Sequence, residues 1–81
     1  MEWYTLFRPH ILERGSGYYE DGLVTGFEYS DNEIMAQVAG SDTYDVQIEL
    51  DGEDVLDMYC SCPYAADGHN CKHMAAVLFR F

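Results

Sequence analysis

The sequence predicts a small α+β domain with N-terminal short helices, a small antiparallel β-sheet of three to four strands and a C-terminal helix. Apolar side chains recur with a period of two between residues 23 and 59, which is typical of strands. Near both ends of the chain they recur at helical spacing instead. All three cysteines of the 81-residue chain lie between positions 60 and 71, immediately before the last helix.

The N-terminal third is predicted to be helical. Pro9 suits the first turn of a helix, because the N–H that proline lacks would have no partner there. Gly15 and Gly17 each weaken a helix by about 1 kcal/mol relative to alanine. We therefore expect a break near residues 15–17 that divides the segment 10–21 into two short helices, and Gly22 as the C-terminal cap.

Four strands are predicted to follow, at residues 23–29, 34–39, 43–50 and 55–59. In the third, apolar residues alternate with polar ones, as in a sheet that has one solvated face. Short turns separate the strands, so neighbouring strands should be antiparallel. The alternating apolar residues of the third strand are Tyr44, Val46, Ile48 and Leu50.

The fourth strand leads directly into the cysteines. Successive side chains of a strand alternate between its faces, which predicts that Leu56, Cys60 and Cys62 lie on the core side. Proline cannot donate a ladder hydrogen bond, so Pro63 should end the strand. A loop at 64–70 would then lead to the C-terminal helix at 71–79, with Asn70 as its N-cap.

Composition indicates one folded domain with an acidic surface. The formal net charge is −11, from fifteen acidic and four basic residues. Nucleic-acid affinity depends largely on Lys and Arg that neutralise phosphates, so the net charge disfavours a nucleic-acid partner and favours a basic protein. The four basic residues are Arg8, Arg14, Lys72 and Arg80.

The sequence also bears on location and context. An odd number of cysteines in a Cys-x-Cys cluster argues against a disulfide framework and favours the reducing cytoplasm. We see no signal peptide and no apolar run that could cross a membrane. The last helix continues to the end of the chain, so we expect residues 1–81 to be one domain, the N-terminal part of a longer protein.

The cysteine-rich segment has the spacing of a metal site, Cys60-x-Cys62, eight residues, then Cys71-x-His73. Three thiolates and one imidazole suit tetrahedral Zn²⁺, and four protein ligands leave no open position, so the predicted site is structural. His69 is the alternative fourth ligand. Iron can replace zinc in a thiolate-rich tetrahedral site. A zinc knuckle between strand and helix therefore completes the predicted fold.

Three other interpretations of the cysteines have less support. They could be buried free thiols, since cysteine packs well in a core. Cys71 could form a catalytic pair with His73 or His69, but two thiols would then have no role. Cys60 and Cys62 could form a redox dithiol, although they lack the Cys-x-x-Cys spacing.

The pattern Cys60-x-Cys62-x₈-Cys71-x-His73 resembles the SWIM zinc finger. Upstream, the segment Arg-Gly-Ser-Gly-Tyr-Tyr-Glu-Asp-Gly-Leu-Val at 14–24 resembles the segment that precedes this finger in bacterial members. The resemblance implies one Zn²⁺ on those four residues, in an interaction module attached to Swi/Snf-type helicase-like proteins.

Three functions follow as expectations. The leading one is a structural-zinc module that contacts a protein partner or an adjoining domain of the same chain. The alternative is a zinc finger that binds DNA directly, which requires the four basic residues to gather on one face. An enzyme is not expected, since we see neither a nucleophile with a base nor a Gly-rich phosphate loop.

Overall fold

The structure, a computed structural model, describes residues 3–52 and 54–81. A 3₁₀ turn at Trp3–Leu6 precedes all other elements. The predicted α+β class is confirmed. Met1, Glu2 and Glu53 lie outside the described residues. The predicted domain 1–81 is therefore described except at these three positions. The elements are α1 (Pro9–Glu20), β1 (Val24–Ser30), β2 (Glu33–Ala39), β3 (Thr43–Asp51), β4 (Asp54–Cys60), α2 (Pro63–Ala66) and α3 (Lys72–Arg80).

The four strands form one antiparallel sheet in the order β1-β2-β3-β4. Short hairpins account for this order, because each strand pairs with the next one along the chain. In the β1–β2 turn, Asp31 and Asn32 have φ values of 51° and 61°, and Asn and Asp tolerate this left-handed region best after glycine. The predicted turn at residues 30–33 is therefore present.

Helix α3 lies at the centre of the molecule. It packs against the inner face of the sheet on one side and against α1 on the other. A helix covered on two sides must be apolar around most of its circumference, and this is what the sequence of α3 provides. Its consecutive buried residues are His73, Met74, Ala75, Ala76, Val77 and Leu78.

Helix α1 is continuous, so the predicted break at residues 15–17 is wrong. Gly15 is present because α1 and α3 approach closely at this point: a Cβ atom at Gly15 would lie 2.6 Å from the Cβ of Ala75 and 3.0 Å from the carbonyl oxygen of Lys72. Burial of the interface offsets the low helix propensity of glycine. The helix ends at Glu20 and its C-cap is Asp21, so the predicted cap Gly22 lies one residue further along, with a φ of 70°.

Two β-bulges move side chains to faces that simple alternation does not predict. In β1 the register shifts between Thr25 and Glu28, and Gly26 adopts a φ of 59°, as in a bulge that begins with glycine. In β4 the register shifts opposite Glu49, which leaves Leu56 64% exposed. The prediction that Leu56 lies on the core side is therefore wrong.

The segment after β4 also differs from its prediction. Pro63 opens α2, so the loop predicted at 64–70 begins with a short helix. Cys71, and not Asn70, is the N-cap of α3. The side-chain amide of Asn70 instead donates a hydrogen bond of 2.9 Å to the carbonyl oxygen of Leu6, which ties this loop to the N-terminal turn.

No described element covers the side of the sheet that faces away from α3, which we call the outer face. Strand alternation places polar residues there opposite the buried core. Among the described residues, no helix is both long enough and apolar enough to cross a membrane. The outer face comprises Glu28, Glu33, Met35, Gln37, Asp45, Gln47, Glu49, Asp57 and Tyr59.

Candidate metal centre

The four predicted ligands lie at the ends of secondary-structure elements. Cys60 is the last residue of β4, and Cys62 is the N-cap of α2. Cys71 is the N-cap of α3, and His73 lies in the first turn of that helix. Their ligand atoms all lie within 4.8 Å of one another, and all four side chains are buried.

The distances in this cluster fit a tetrahedral metal. His73 Nδ1 lies 3.6 Å from Cys60 Sγ and 3.8 Å from Cys71 Sγ. With zinc–ligand bonds of about 2.0–2.3 Å, the edges of a tetrahedral site measure roughly 3.5–3.8 Å. The donor set is three sulfurs and one imidazole nitrogen, which is a common set for structural zinc. The cluster therefore fits one structural Zn²⁺.

The imidazole of His73 is held between two tyrosines. Its ring centroid lies 5.4 Å from that of Tyr18, edge to face, and 4.6 Å from that of Tyr44. Its Nε2 atom is buried without a hydrogen-bond partner in the described part of the chain. Gly40 packs closely beside this nitrogen, since a Cβ atom there would lie 3.4 Å from it.

Sequence reasoning did not find this support for His73. The sequence predicts Tyr44 only as an alternating apolar residue of the third strand, and it gives Tyr18 and Gly40 no role at the metal. The three come from α1, β3 and the β2–β3 turn, so no local spacing connects them with His73. Metal-bound histidines usually donate their second ring N–H, which orients the ring.

In the folded cluster, the thiols of Cys60 and Cys71 interact directly. The hydrogen bond from Cys60 lowers the pKa of Cys71 to about 4, and a further bond from the backbone N–H of Met74 acts in the same direction. The same contact with Cys71, together with burial, raises the pKa of Cys60 far above its ordinary value. A thiolate at the start of α3 also has a favourable interaction with the helix dipole. In the folded cluster Cys71 is therefore deprotonated more readily than Cys60.

Zinc affinity is expected to rise with pH. Zinc binds thiolates, and thiols with ordinary pKa values near 8.5 are largely protonated at pH 7. If the metal-free chain is unfolded, binding should release about three protons at pH 7, one from each cysteine. A preformed site should release fewer, since Cys71 is then already a thiolate. Calorimetry in buffers of different ionisation enthalpy measures this number, and an affinity independent of pH would contradict thiolate ligation.

His69, the alternative fourth ligand, lies apart from the cluster. It is exposed, and its ring stacks on Tyr64 with a centroid distance of 4.7 Å and an interplanar angle of 26°. The structure thus brings His73, and not His69, to the three cysteines.

Three of the four basic residues gather beside the cluster, on a surface that we call the knuckle face. Arg14 and Lys72 line a cavity of about 170 Å³ with Tyr64 and the cluster residues. Arg8 lines the neighbouring cavity, which shares Tyr64. Arg80 lies elsewhere, 4.9 Å over the ring of Phe27. The DNA-binding alternative required all four on one face, and the structure brings three together.

Comparisons with known proteins agree with this geometry. A protein of Methanocaldococcus jannaschii, described as uncharacterized, is 38% identical over 72 residues, which cover 89% of this chain and 29% of that protein. The chain thus spans less than a third of this relative. No solved structure matches. The family model of the SWIM zinc finger matches residues 44–81, which include all four residues of the cluster. Residues 44–81 therefore match the SWIM zinc finger, and the cluster within them fits one structural Zn²⁺.

Proposed function

We propose that the domain is a structural-zinc interaction module that contacts protein. In this proposal Cys60, Cys62, Cys71 and His73 hold one Zn²⁺, which stabilises the fold and takes no part in catalysis. The domain works in the cytoplasm as the N-terminal part of a larger, nucleic-acid-directed, helicase-like polypeptide, and its partner is another protein or an adjoining domain of that polypeptide.

This proposal is carried by one observation: the candidate metal ligands are buried, whereas the outer face of the sheet is uncovered. The four candidate ligands are buried and fill a tetrahedral site, so no position remains for a substrate. The outer face of the sheet, in contrast, is uncovered and carries half-exposed Met35 and Tyr59 among carboxylates. Exposed aromatic and methionine side chains are enriched where proteins bind one another.

Hydrogen–deuterium exchange tests the protein contact directly. The zinc-loaded domain alone is compared with the same domain in the longest natural polypeptide that contains it. We expect added protection of amides outside the zinc cluster, because a docked partner excludes water from the surface that it covers. Identical exchange in the two samples would contradict a contact with the adjoining chain.

Direct nucleic-acid binding is the second candidate, and the knuckle face favours it. A phosphate bound in the two cavities of the knuckle face would lie beside Arg8, Arg14 and Lys72, which line them. The ammonium group of Lys72 lies 5.3 Å from the ring centroid of Tyr18, a cation–π contact that a phosphate would compete with. The domain nevertheless has a formal net charge of −11 with these three cations already counted.

Titration of the zinc-loaded domain with single- and double-stranded DNA decides between the two candidates. We expect no saturable binding at physiological salt, because the net charge repels a polyanion. If binding does occur, it should weaken steeply with salt. Lys72→Ala and Arg14→Ala should then reduce it, whereas the control Arg80→Ala, which removes the same charge at a distance, should not. Saturable binding with that mutational pattern would put the DNA candidate first.

A further inference from the structure

The outer face of the sheet carries its charges in a regular arrangement. Glu33 lies opposite Glu49, and Glu49 lies opposite Asp57, so three carboxylates form one row across β2, β3 and β4. Directly opposed residues of a sheet have Cβ atoms about 4.5–5.5 Å apart, and like charges in these positions destabilise the sheet. The row therefore has an internal repulsion that a cationic partner would relieve.

No counter-charge for this row exists within the sheet. Strands β1 to β4 contain seven acidic residues and no Lys or Arg among their described positions. The four basic residues of the chain lie in or beside the helices. Gln47 donates a 2.9 Å hydrogen bond to Glu33, but an amide offers no positive charge.

The next row offers apolar surface. Glu28 lies opposite Met35, Met35 opposite Gln47, and Gln47 opposite Tyr59. Met35 is 50% and Tyr59 is 55% exposed, and both line a shallow concavity of about 540 Å³. Gly26 lies at its rim, where the bulge of β1 presents no side chain. An aromatic ring beside carboxylates can bind a cation over its face.

We propose that the outer face is the docking surface for a basic protein segment whose arginine or lysine side chains lie across it. The aliphatic stems contact Met35 and Tyr59, and the charged ends reach the carboxylates of Glu33, Glu49 and Asp57. This inference rests on the proposed function, because it names the surface and the partner chemistry of the protein contact. Charge complementarity favours a basic protein segment as the partner of the outer face, since this acidic surface repels nucleic acid and anionic lipid.

The test uses a short synthetic peptide of alternating arginine and serine. In an extended chain this alternation places every arginine on one face. Amide spectra of the zinc-loaded domain should show saturable shifts that are concentrated at Met35, Gln47, Glu49 and Tyr59 and that weaken with salt. A matched peptide of alternating glutamate and serine should cause none.

Glu49→Gln removes the middle carboxylate and also its repulsion, so this variant should fold. We expect the arginine peptide to bind it about two- to fivefold more weakly, as is typical of one lost exposed ion pair. The control Glu13→Gln makes the same charge change on exposed α1 and should leave the affinity unchanged. Equal weakening in both variants would mean non-specific attraction and would overturn the inference.

The remaining outcomes separate this inference from the proposed function. Without peptide binding, protection elsewhere in the exchange experiment would overturn the docking surface and leave the protein-contact function intact. Without added protection anywhere, the contact with an adjoining domain, which is one form of the proposed function, is contradicted as well. If the domain self-associates, with shifts on both the outer face and the knuckle face, the occupant is a second copy, and the inference of a separate basic partner is wrong.

Discussion

Chelation of zinc is expected to unfold the domain. Structural zinc contributes about 10–16 kcal/mol of apparent binding free energy in small zinc modules, and this is also folding free energy. Small single domains have net stabilities of only about 5–15 kcal/mol. Losing the binding free energy of zinc is therefore enough to unfold the domain. The cluster joins β4, α2 and the central helix α3, so the loss of zinc weakens the contact between the sheet and the helices that the apolar core also makes.

Amide dispersion and circular dichroism of a chelated sample measure this loss. A metal-free sample with native-like dispersion would contradict the expectation. His73→Ala should abolish stoichiometric tight zinc binding and unfold the domain in the same way. The matched control is His69→Ala, which removes an exposed histidine that stacks on Tyr64 and lies outside the cluster. If His69→Ala abolished zinc binding and His73→Ala did not, the ligand assignment would be wrong.

Gly15→Ala is expected to destabilise the zinc-loaded domain by about 1–3 kcal/mol, the usual cost of overpacking a core. The new Cβ would lie 2.6 Å from the Cβ of Ala75, and 3.0 Å from a backbone oxygen of Lys72 that cannot rotate away. Helices α1 and α3 would have to separate. The shift would also displace the first turn of α3, which carries His73. Thermal unfolding with saturating zinc measures the effect.

Gly17→Ala is the matched control on the same helix. Nothing lies within 4 Å of a Cβ atom at Gly17, so alanine fits without a clash. Because alanine has the higher helix propensity, this variant should be more stable than the natural chain by about 0.5–1 kcal/mol. Opposite signs at two glycines two residues apart would show that packing, and not propensity, requires Gly15. If both substitutions were stabilising, the close approach of α1 and α3 would be contradicted.

The sequence predicts those features that local chemistry determines. The strands at residues 34–39 and 43–50 agree with β2 and β3 to within a residue, because alternation and turn residues are properties of a few neighbouring positions. The cluster was predictable for a similar reason. Its four residues occupy a single segment of 14 positions, from Cys60 to His73, and their chemistry suits one metal.

Features that depend on a distant part of the chain were not predictable. Gly15 was interpreted as a helix breaker because Ala75, the residue that requires it, lies far along the sequence. Leu56 does not lie on the core face because a bulge inserts one extra residue into β4. The alternation of apolar and polar residues does not predict where a bulge occurs. Arg8 and Arg14 reach Lys72 only through the packing of α1 on α3, so the knuckle face has no signature in any short segment.

The distribution of charge gives the domain an electric dipole moment. Seven carboxylates lie in the strands on one side, and three cations lie around the zinc knuckle and the helices. In the field of another charged body, such a molecule experiences a torque before any contact is made. Near a polyanion it would rotate until the knuckle face points toward the polyanion and the sheet points away. Near a polycation the outer face of the sheet would point toward the partner. The orientation of the first encounter is therefore determined by the fold, even where the net charge opposes approach.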